Sequence, residues 1–348
     1  MRSITFRRPD DWHVHFRDAA AMRAVVPHTA RRFGRAIVMP NLTPPVTTTA
    51  LAAAYRERIL AAVPEDVAFT PLMTAYLTDG SDAADIVAGF RDGVLTAVKL
   101  YPAHATTNSQ FGVTSIAAVA GVLEAMEKAG MPLLVHGEVT RTEVDVFDRE
   151  ARFVEEVLAP MLRDFPGLKI VLEHVTTAEG VAIVRANAAR MAGTMTPQHL
   201  LFDRNEIFRG GIRPHMYCLP ILKRSTHKQA LREAATSGES CFFLGTDTAP
   251  HMRHLKEAAC GCAGVFSAPT AIEAYLKVFA EENALERFEA FASLNGPTFY
   301  GLAPNEERVT WVEKSRQIAE AVEVEGQGEI VTLFGGETVG WSPADAVV

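Results

Sequence analysis

The chain has 348 residues, of which 48% are hydrophobic and 22% charged, and its formal net charge at pH 7 is −8. A chain of this composition can bury a large core, either as one α/β barrel with extensions or as two domains, and its negative charge argues against nucleic acid or an anionic membrane as a partner. The charge does not exclude a small anionic substrate, because a metal ion and one arginine inside a cleft outweigh distant surface charges.

Eight segments have the pattern of short β-strands. Several of them, such as residues 132–135 and 169–172, are nearly continuous apolar runs, which suit parallel strands buried on both faces. In chain order the predicted strands are Asp11–Phe16, Arg35–Met39, Ala68–Ala75, Ala97–Tyr101, Pro132–His136, Lys169–His174, Ala192–Thr196 and Cys241–Gly245.

Amphipathic or Ala-rich segments of helical length lie between these strands, such as Thr48–Ala62, Ser81–Arg91, Ser115–Ala129, Phe147–Asp164, Ala178–Ala189 and Thr226–Ser237. The alternation of strands and helices indicates parallel βα units, and eight such units predict a TIM-type (β/α)8 barrel. An open doubly wound sheet is the competing fold, but no Gly-x-Gly-x-x-Gly turn follows the first strand.

The C-terminal part is predicted to extend this barrel. We expect helical segments near Ala268–Glu282 and Leu285–Ser293, followed by a Gly-rich, irregular tail from about Glu325. No repeat or linker forces a domain boundary, so we expect residues 1–348 to form one domain with a C-terminal extension from about residue 265.

The sequence also indicates a compartment. No apolar run approaches the roughly 20 residues that span a bilayer, and the first six residues lack the apolar core of a signal peptide, so we expect a cytoplasmic protein. Its four cysteines (Cys218, Cys241, Cys260 and Cys262) are then expected to be reduced thiols. Cys260 and Cys262 could form a metal-binding pair, but no second cysteine pair or nearby histidine completes a zinc knuckle.

The first predicted strand carries a His-x-His pair. Side chains two residues apart on a strand point to the same face, so His13 and His15 would present two imidazoles side by side while Val14 and Phe16 pack behind them. Imidazole is the commonest nitrogen ligand of Zn²⁺, and a catalytic zinc site needs further histidine or carboxylate ligands. Taken alone, the pair is equally compatible with two rings that simply lie at a strand end.

Residues of ligand type also fall at the ends of later strands, where the catalytic residues of a barrel collect. These positions hold Asn41, Lys99, His136, His174 and Asp247. Each residue alone could cap a helix, lie in the core or reach the surface, but their equivalent positions in distant units together predict a shared metal site.

Lys99 requires a separate argument, because an ammonium is a poor metal ligand and is costly to bury unpaired among cations. A deprotonated lysine amine can instead add CO₂ and give an anionic carbamate, whose two oxygens can bridge two Zn²⁺ ions. The two histidines of the first strand and Asp247 would then hold one ion, and His136 and His174 the other.

Seven motifs, in the same order from about Arg8 to Gly301, resemble the bacterial single-function dihydroorotases of the amidohydrolase superfamily. They are Asp-Trp-His-Val-His-Phe-Arg-Asp (11–18), Met-Pro-Asn-Leu-Thr-Pro-Pro (39–45), Lys-Leu-Tyr-Pro-Ala (99–103), Leu-Val-His-Gly-Glu (134–138), Leu-Glu-His-Val-Thr-Thr (172–177), Leu-Gly-Thr-Asp-Thr-Ala-Pro-His (244–251) and Cys-Gly-Cys-Ala-Gly (260–264). The tail after Gly301 has no such match.

The resemblance implies two Zn²⁺ ions per subunit, bridged by N6-carboxylated Lys99 and by hydroxide, in a homodimer. It implies the reversible ring closure of N-carbamoyl-L-aspartate to L-dihydroorotate in pyrimidine (UMP) biosynthesis. It also implies that the substrate carboxylate is bound by Arg17, Asn41 and His251, and that backbone groups of Leu219 and Ala263 bind the ring amide.

Two residues can be assigned roles from their chemistry. Asp247, in contact with metal and hydroxide, is placed to take the proton as oxygen attacks and to deliver it to the departing nitrogen. Arg17 can bind a carboxylate through two parallel hydrogen bonds, which orients the substrate.

The segment from His104 to Gly112 directly follows the fourth strand. It is polar, small and Gly-terminated, as expected for a lid that excludes water, although an ordinary βα loop has the same composition. The resemblance implies a mobile loop whose Thr106 and Thr107 meet the substrate, so we predict a lid.

Two alternative functions are considered. A hydantoinase or allantoinase could share every metal ligand, but its substrates lack the ring carboxylate that Arg17, Asn41 and His251 would bind. A non-catalytic scaffold relative would be expected to have lost metal ligands, whereas this chain keeps all six.

Overall fold

The computed structural model describes residues 2–259 and 261–344, so the suggested metal pair of Cys260 and Cys262 lies partly outside the described residues. Strand β1 (Ser3–Arg7) is not part of the central sheet, which consists of eight parallel strands in the order in which they follow along the chain. The eight strands are β2 (Asp11–Val14), β3 (Arg35–Val38), β4 (Thr70–Tyr76), β5 (Leu95–Leu100), β6 (Leu133–Val135), β7 (Ile170–Leu172), β8 (Met191–Met195) and β9 (Phe242–Leu244).

The sheet curves until its last strand meets its first. At this junction the backbone N–H of Asp247 donates to His13 O (3.0 Å), and that of His15 donates to Thr248 O (3.0 Å). The result is a nearly closed barrel, which confirms the predicted TIM-type (β/α)8 fold class. Closure also places the ends of the first and eighth barrel strands side by side.

Helices lie between successive barrel strands, and local sequence determines where some of them begin. The helix predicted from Thr48 starts there because the Thr48 side chain accepts a hydrogen bond from Leu51 N. The helices are α1 (Ala19–Ala30), α2 (Thr49–Leu60), α3 (Ala83–Arg91), α4 (Ala120–Ala129), α5 (Arg149–Phe153), α6 (Ala159–Asp164), α7 (Ala178–Ala186), α8 (Pro197–Leu201), α9 (Ser225–Ala235), α10 (Arg253–Lys256), α11 (Ala271–Glu281) and α12 (Asn295–Tyr300). A π-helical turn, Val154–Leu158, joins α5 to α6 within the single helix predicted there. Among the described residues, no helix has both the length and the apolar character needed to cross a membrane.

An apolar layer fills the barrel below the strand ends that carry the candidate site. Its buried members are Trp12, Ile37, Met39, Ala97, Leu134, Val171, Ala192 and Phe243. Helix α12 packs against this layer, and the ring of Tyr300 stacks on that of Trp12 with centroids 4.5 Å apart. A register shift between Asp11 and Val14 interrupts the alternation of β2, so that Trp12 lies in this layer although the next residue, His13, lines the cleft above it.

Up to residue 344, the C-terminal segment contains six short strands, β10 (Arg308–Val312), β11 (Arg316–Gln317), β12 (Ala321–Val324), β13 (Gly328–Val331), β14 (Thr338–Val339) and β15 (Ser342–Pro343). Strand β10 pairs antiparallel with β1 and with β15, while β12 and β13 form a hairpin. Three of these strands, β13, β14 and β15, lie in the tail that was predicted to be irregular from about Glu325. Val324 and Ile330 bury their side chains in the main hydrophobic core, and strands of two to five residues with distant partners are too short to show a clear pattern in the sequence.

Candidate active site

A narrow cleft lies at the C-terminal end of the barrel. It is lined by His13, His15, Arg17, Asn41, Tyr101, Thr106, Thr107, His136, His174, Leu219, Asp247, Ala249, Ala263 and Gly264. The two remaining residues predicted for the site lie just behind this lining. Lys99 contacts Glu173, and His251 contacts Arg17. The structure therefore brings all the predicted site residues together, from units far apart in the sequence.

Three buried ligand atoms converge on one side of the cleft. His13 Nε2 and His15 Nε2 lie 3.3 Å apart, and Asp247 Oδ1 lies 3.3 Å from the first and 3.1 Å from the second. Two ring nitrogens and a carboxylate oxygen at this spacing can hold a metal ion. The cluster exists because the closing strands β2 and β9 are neighbours.

Two further imidazoles continue from this cluster. The ring of His174 lies 5.1 Å from that of His13 and 4.8 Å from that of His136, measured between centroids. His136 Nε2 donates to Glu138 Oε2 (2.8 Å), which leaves Nδ1 of that ring available to a ligand. His174 Nδ1 is buried and has no hydrogen-bond partner within residues 2–259 and 261–344. Burial lowers the pKa of His174 well below its usual value, so the ring is neutral and able to coordinate.

The Nδ1 atoms of His13 and His15, which point away from the ligand cluster, also contact specific groups. His13 Nδ1 contacts Glu173 Oε2, and His15 Nδ1 donates to Asn41 Oδ1 (2.9 Å). A histidine that ligates a metal generally donates its other N–H to such an acceptor, which fixes the tautomer and the ring orientation. Sequence reasoning missed Glu173 and Glu138 in this role, although both stand beside predicted ligand histidines in the motifs.

Lys99 is completely buried, and its Nζ atom lies 3.2 Å from Glu173 Oε2. Burial lowers the pKa of this amine, even though the charge of Glu173 acts to raise it. Sequence reasoning considered an ammonium without a counter-ion, whereas the structure provides one in Glu173.

Asp247 is held in its charged form. Burial acts to raise the pKa of this carboxyl, but the positive potential of His13 and the contact with His15 outweigh it and lower the pKa to about 2. Asp11 supports the turn before it by accepting hydrogen bonds from Thr246 N (2.8 Å) and Thr246 Oγ1 (2.6 Å).

Three residues of the site have left-handed backbone conformations, which residues other than glycine seldom adopt. Their φ angles are 61° for Arg17, 42° for His174 and 47° for Asp247. Strained backbone of this kind concentrates at functional sites, where the surrounding structure maintains it. Here it turns the chain sharply just after a barrel strand, so that the side chain faces the cleft.

Arg17 lies at the other side of the cleft. Its Nε donates to Pro250 O (3.0 Å), and its Nη2 lies 2.9 Å from His251 Nε2. In the part of the chain that the structure describes, no carboxylate lies within 4 Å of the guanidinium. Burial, together with the charge of Arg17, lowers the pKa of His251 to about 2, so this ring is neutral.

Backbone groups and the predicted lid complete the lining. Neither Leu219 N nor Ala263 N donates a hydrogen bond to any described residue, so both are free to meet a ligand. Segment 104–112, called the lid loop below, folds over the cleft: Asn41 Nδ2 donates to Thr107 O (3.0 Å), and Thr107 Oγ1 donates to Ala263 O (3.5 Å).

Comparisons with known proteins agree with this geometry. Residues 11–310 match the model of the Amidohydrolase family. The dihydroorotase of Erythrobacter litoralis is 60% identical over 339 residues, which cover 97% of this chain and 98% of the relative. The crystal structure of dihydroorotase from Campylobacter jejuni superposes with a TM-score of 0.90 at 34% identity and covers 98% of this chain and 97% of its own. The dihydroorotase of Saccharomyces cerevisiae, solved in complex with 5-fluoroorotic acid, has a TM-score of 0.90 at 30% identity, with 99% and 98% covered.

Proposed function

The chain belongs to the amidohydrolase family, and from that premise we propose that it interconverts N-carbamoyl-L-aspartate and L-dihydroorotate, the dihydroorotase step of de novo pyrimidine biosynthesis. The observation that carries the proposal is that one cleft contains both a metal-ligand cluster and Arg17, a partly buried cation without a carboxylate partner in the described residues. A cyclic amide that bears a carboxylate would place its amide at the metal-ligand cluster and its carboxylate at Arg17.

The donor atoms fit two metal ions. The cluster of His13, His15 and Asp247 would hold one Zn²⁺, and His136 with His174 would hold the other. These residues are buried, His15 and His136 are oriented by hydrogen bonds to Asn41 and Glu138, and His174 Nδ1 has no partner in the described residues, as expected for preformed ligands. When bound, the ions supply Lewis-acid activation of water and of the amide carbonyl.

Lys99 would join the two metal positions as a carbamate. Burial favours its neutral amine, which can form a bond to the carbon of CO₂ with the loss of one proton. Glu173 Oε2, 3.2 Å from Nζ, is placed to accept that proton. The anionic product would offer two oxygens where the free amine offers none.

The substrate carboxylate would be bound by Arg17, Asn41 and His251. Arg17 keeps three N–H groups free after its bonds to Pro250 O and His251, which suffices for a bidentate interaction. Asn41 Nδ2 donates one of its two N–H groups to Thr107 O, so its second N–H could bind the substrate while the first holds the lid loop. Asn41 would therefore link the bound substrate to the lid loop.

The ring amide would be recognised by backbone groups of Leu219 and Ala263, whose N–H groups have no partner in the described chain. Thr106 and Thr107 of the lid loop line the same cleft and would contact the substrate from above. A closed lid would exclude water and strengthen every polar interaction below it.

Asp247 would move the proton. Its low pKa keeps it ionised, so in hydrolysis it can accept a proton from the attacking water and deliver it to the leaving ring nitrogen. In ring closure the same carboxyl would take a proton from the attacking nitrogen and pass it to the departing oxygen.

We also propose that the protein assembles as a homodimer. Each subunit would form one domain over residues 1–348, with a C-terminal extension from about residue 265. The barrel and the pairing of β1 with β10, which joins distant parts of the chain, support a single domain.

The function is tested by turnover of L-dihydroorotate. Removal of metal with a chelator should abolish activity, and added Zn²⁺ should restore it, whereas Ca²⁺ serves as the control ion and should not. Full turnover by protein shown to be free of metal would refute the metal-dependent mechanism. Turnover of hydantoin but not of dihydroorotate would favour the hydantoinase alternative.

A further inference from the structure

Lys256, at the end of α10, is a buried cation outside the cleft lining. Only 3% of its surface is exposed, and Nζ donates three hydrogen bonds, to Tyr217 O (2.7 Å), Gly264 O (2.7 Å) and Cys262 O (2.9 Å). An ammonium has three N–H groups, so all are used. Within residues 2–259 and 261–344 no carboxylate lies within 4 Å of it, and a buried charge without a counter-ion is unfavourable unless such bonds compensate it.

The three carbonyls belong to the two segments that carry the free backbone groups of the cleft. Cys262 and Gly264 immediately flank Ala263, and Tyr217 lies two residues before Leu219. The ammonium group of Lys256 therefore holds both segments at fixed positions relative to each other. They also meet directly, because Gly264 N donates to Tyr217 O (3.0 Å).

The neighbouring contacts leave the Ala263 segment little freedom to move. A Cβ atom added at Gly264, where φ is 151°, would lie 2.6 Å from Ala249 O, so the chain passes very close to the loop that follows β9. With the three bonds from Lys256, this close approach restricts where Ala263 N points.

We propose that Lys256 is a positioning residue for substrate recognition, which holds the backbone of Leu219 and Ala263 in the geometry that binds a cyclic amide. The inference rests on the proposed function and goes beyond it, because it assigns the amide-binding geometry to a side chain that does not touch the substrate. The carbonyl dipoles compensate the charge of Lys256. The residue therefore acts by positioning the backbone rather than by attracting the substrate carboxylate.

The test compares Lys256→Met, which keeps the length of the side chain and removes all three donors, with Lys277→Met. Lys277 is exposed and pairs with Glu281, so its loss removes one ammonium without touching the cleft. For Lys256→Met we expect KM for L-dihydroorotate to rise at least tenfold, kcat to fall less than threefold and the zinc content per chain to stay unchanged. Lys277→Met should match the parent in all three. A KM within twofold of the parent for Lys256→Met would overturn the proposal.

A double-mutant cycle with Arg17→Met separates geometry from charge. If Lys256 positions the amide-binding backbone, the two substitutions should lower kcat/KM by independent factors that multiply to within about threefold. If the effect of Lys256→Met disappears when Arg17 is absent, Lys256 assists carboxylate binding and the proposal is wrong.

Lys256→Gln is the second variant, since its amide can still donate to two carbonyls, and it should show a smaller rise in KM. Loss of zinc or of the folded state in both Lys256 variants would make Lys256 a general structural residue and would also overturn the proposal. Absence of dihydroorotate turnover in the parent enzyme would instead refute the proposed function, so the two failures are distinguishable.

Discussion

Replacement of Arg17 by methionine should reduce kcat/KM for L-dihydroorotate without removing the metal. Two N–H groups of Arg17 are used by Pro250 O and His251, and three remain for the substrate carboxylate. Two charge-assisted hydrogen bonds in a buried cleft contribute about 3 kcal/mol or more, which corresponds to a loss of roughly a hundredfold in kcat/KM. Methionine retains most of the apolar stem, so the packing of the side chain should change little.

The assay is steady-state turnover in both directions on protein whose zinc content has been measured. Arg58→Met is the matched control, because Arg58 is an exposed arginine that pairs with Asp18 at 2.9 Å, and it should stay within twofold of the parent. An unchanged kcat/KM for Arg17→Met would refute the assignment of the carboxylate to this residue. Equal activity of the parent on dihydroorotate and on an uncharged cyclic amide would do the same.

Three further substitutions test the other parts of the site. Asp247→Asn should lower turnover at least a hundredfold in both directions in protein whose zinc content equals that of the parent, and activity within tenfold would mean that another residue carries the proton. Glu173→Gln should weaken zinc retention about 10- to 100-fold in dialysis against a chelator, because it removes the anionic partner of a ligand histidine, and parental retention would contradict this role. Gly264→Ala should raise KM at parental zinc content, since the new Cβ would press on Ala249 O, whereas Gly121→Ala, with open space around it, should leave KM unchanged.

The fold class and the place of the site could be predicted from the sequence for a common physical reason. Eight apolar runs separated by helices specify parallel βα units, and in such a barrel the residues at equivalent strand ends must meet wherever they stand in the chain. His13 and Asp247 are 234 positions apart, yet the closing strands bring them into contact. The predicted family was confirmed by the comparisons, while the roles of the individual site residues remain predictions.

Other features could not be predicted because they depend on the folded backbone. The sequence places Glu173 beside a ligand histidine, but only the structure shows its carboxylate between His13 and Lys99. The left-handed conformation of His174 has no signature in the residue type. The hairpin of β12 and β13 was missed for another reason, since its short strands gain stability by burying Val324 and Ile330 against a surface formed by distant parts of the chain.

Two cations near the cleft, partly buried Arg17 and buried Lys256, bear on the proposal that a chain of net charge −8 binds an anion. Both lie without a carboxylate within 4 Å in the described residues, but they differ in the donors that remain. All three N–H groups of Lys256 are bound to carbonyl oxygens, so this residue has nothing left for a ligand. Arg17, which lines the cleft, has three N–H groups without a partner in the described residues, and an unpaired, partly buried charge of this kind is stabilised when an anion enters. The count of free donors therefore supports both proposals, that Arg17 binds the substrate carboxylate and that Lys256 maintains the shape of the site.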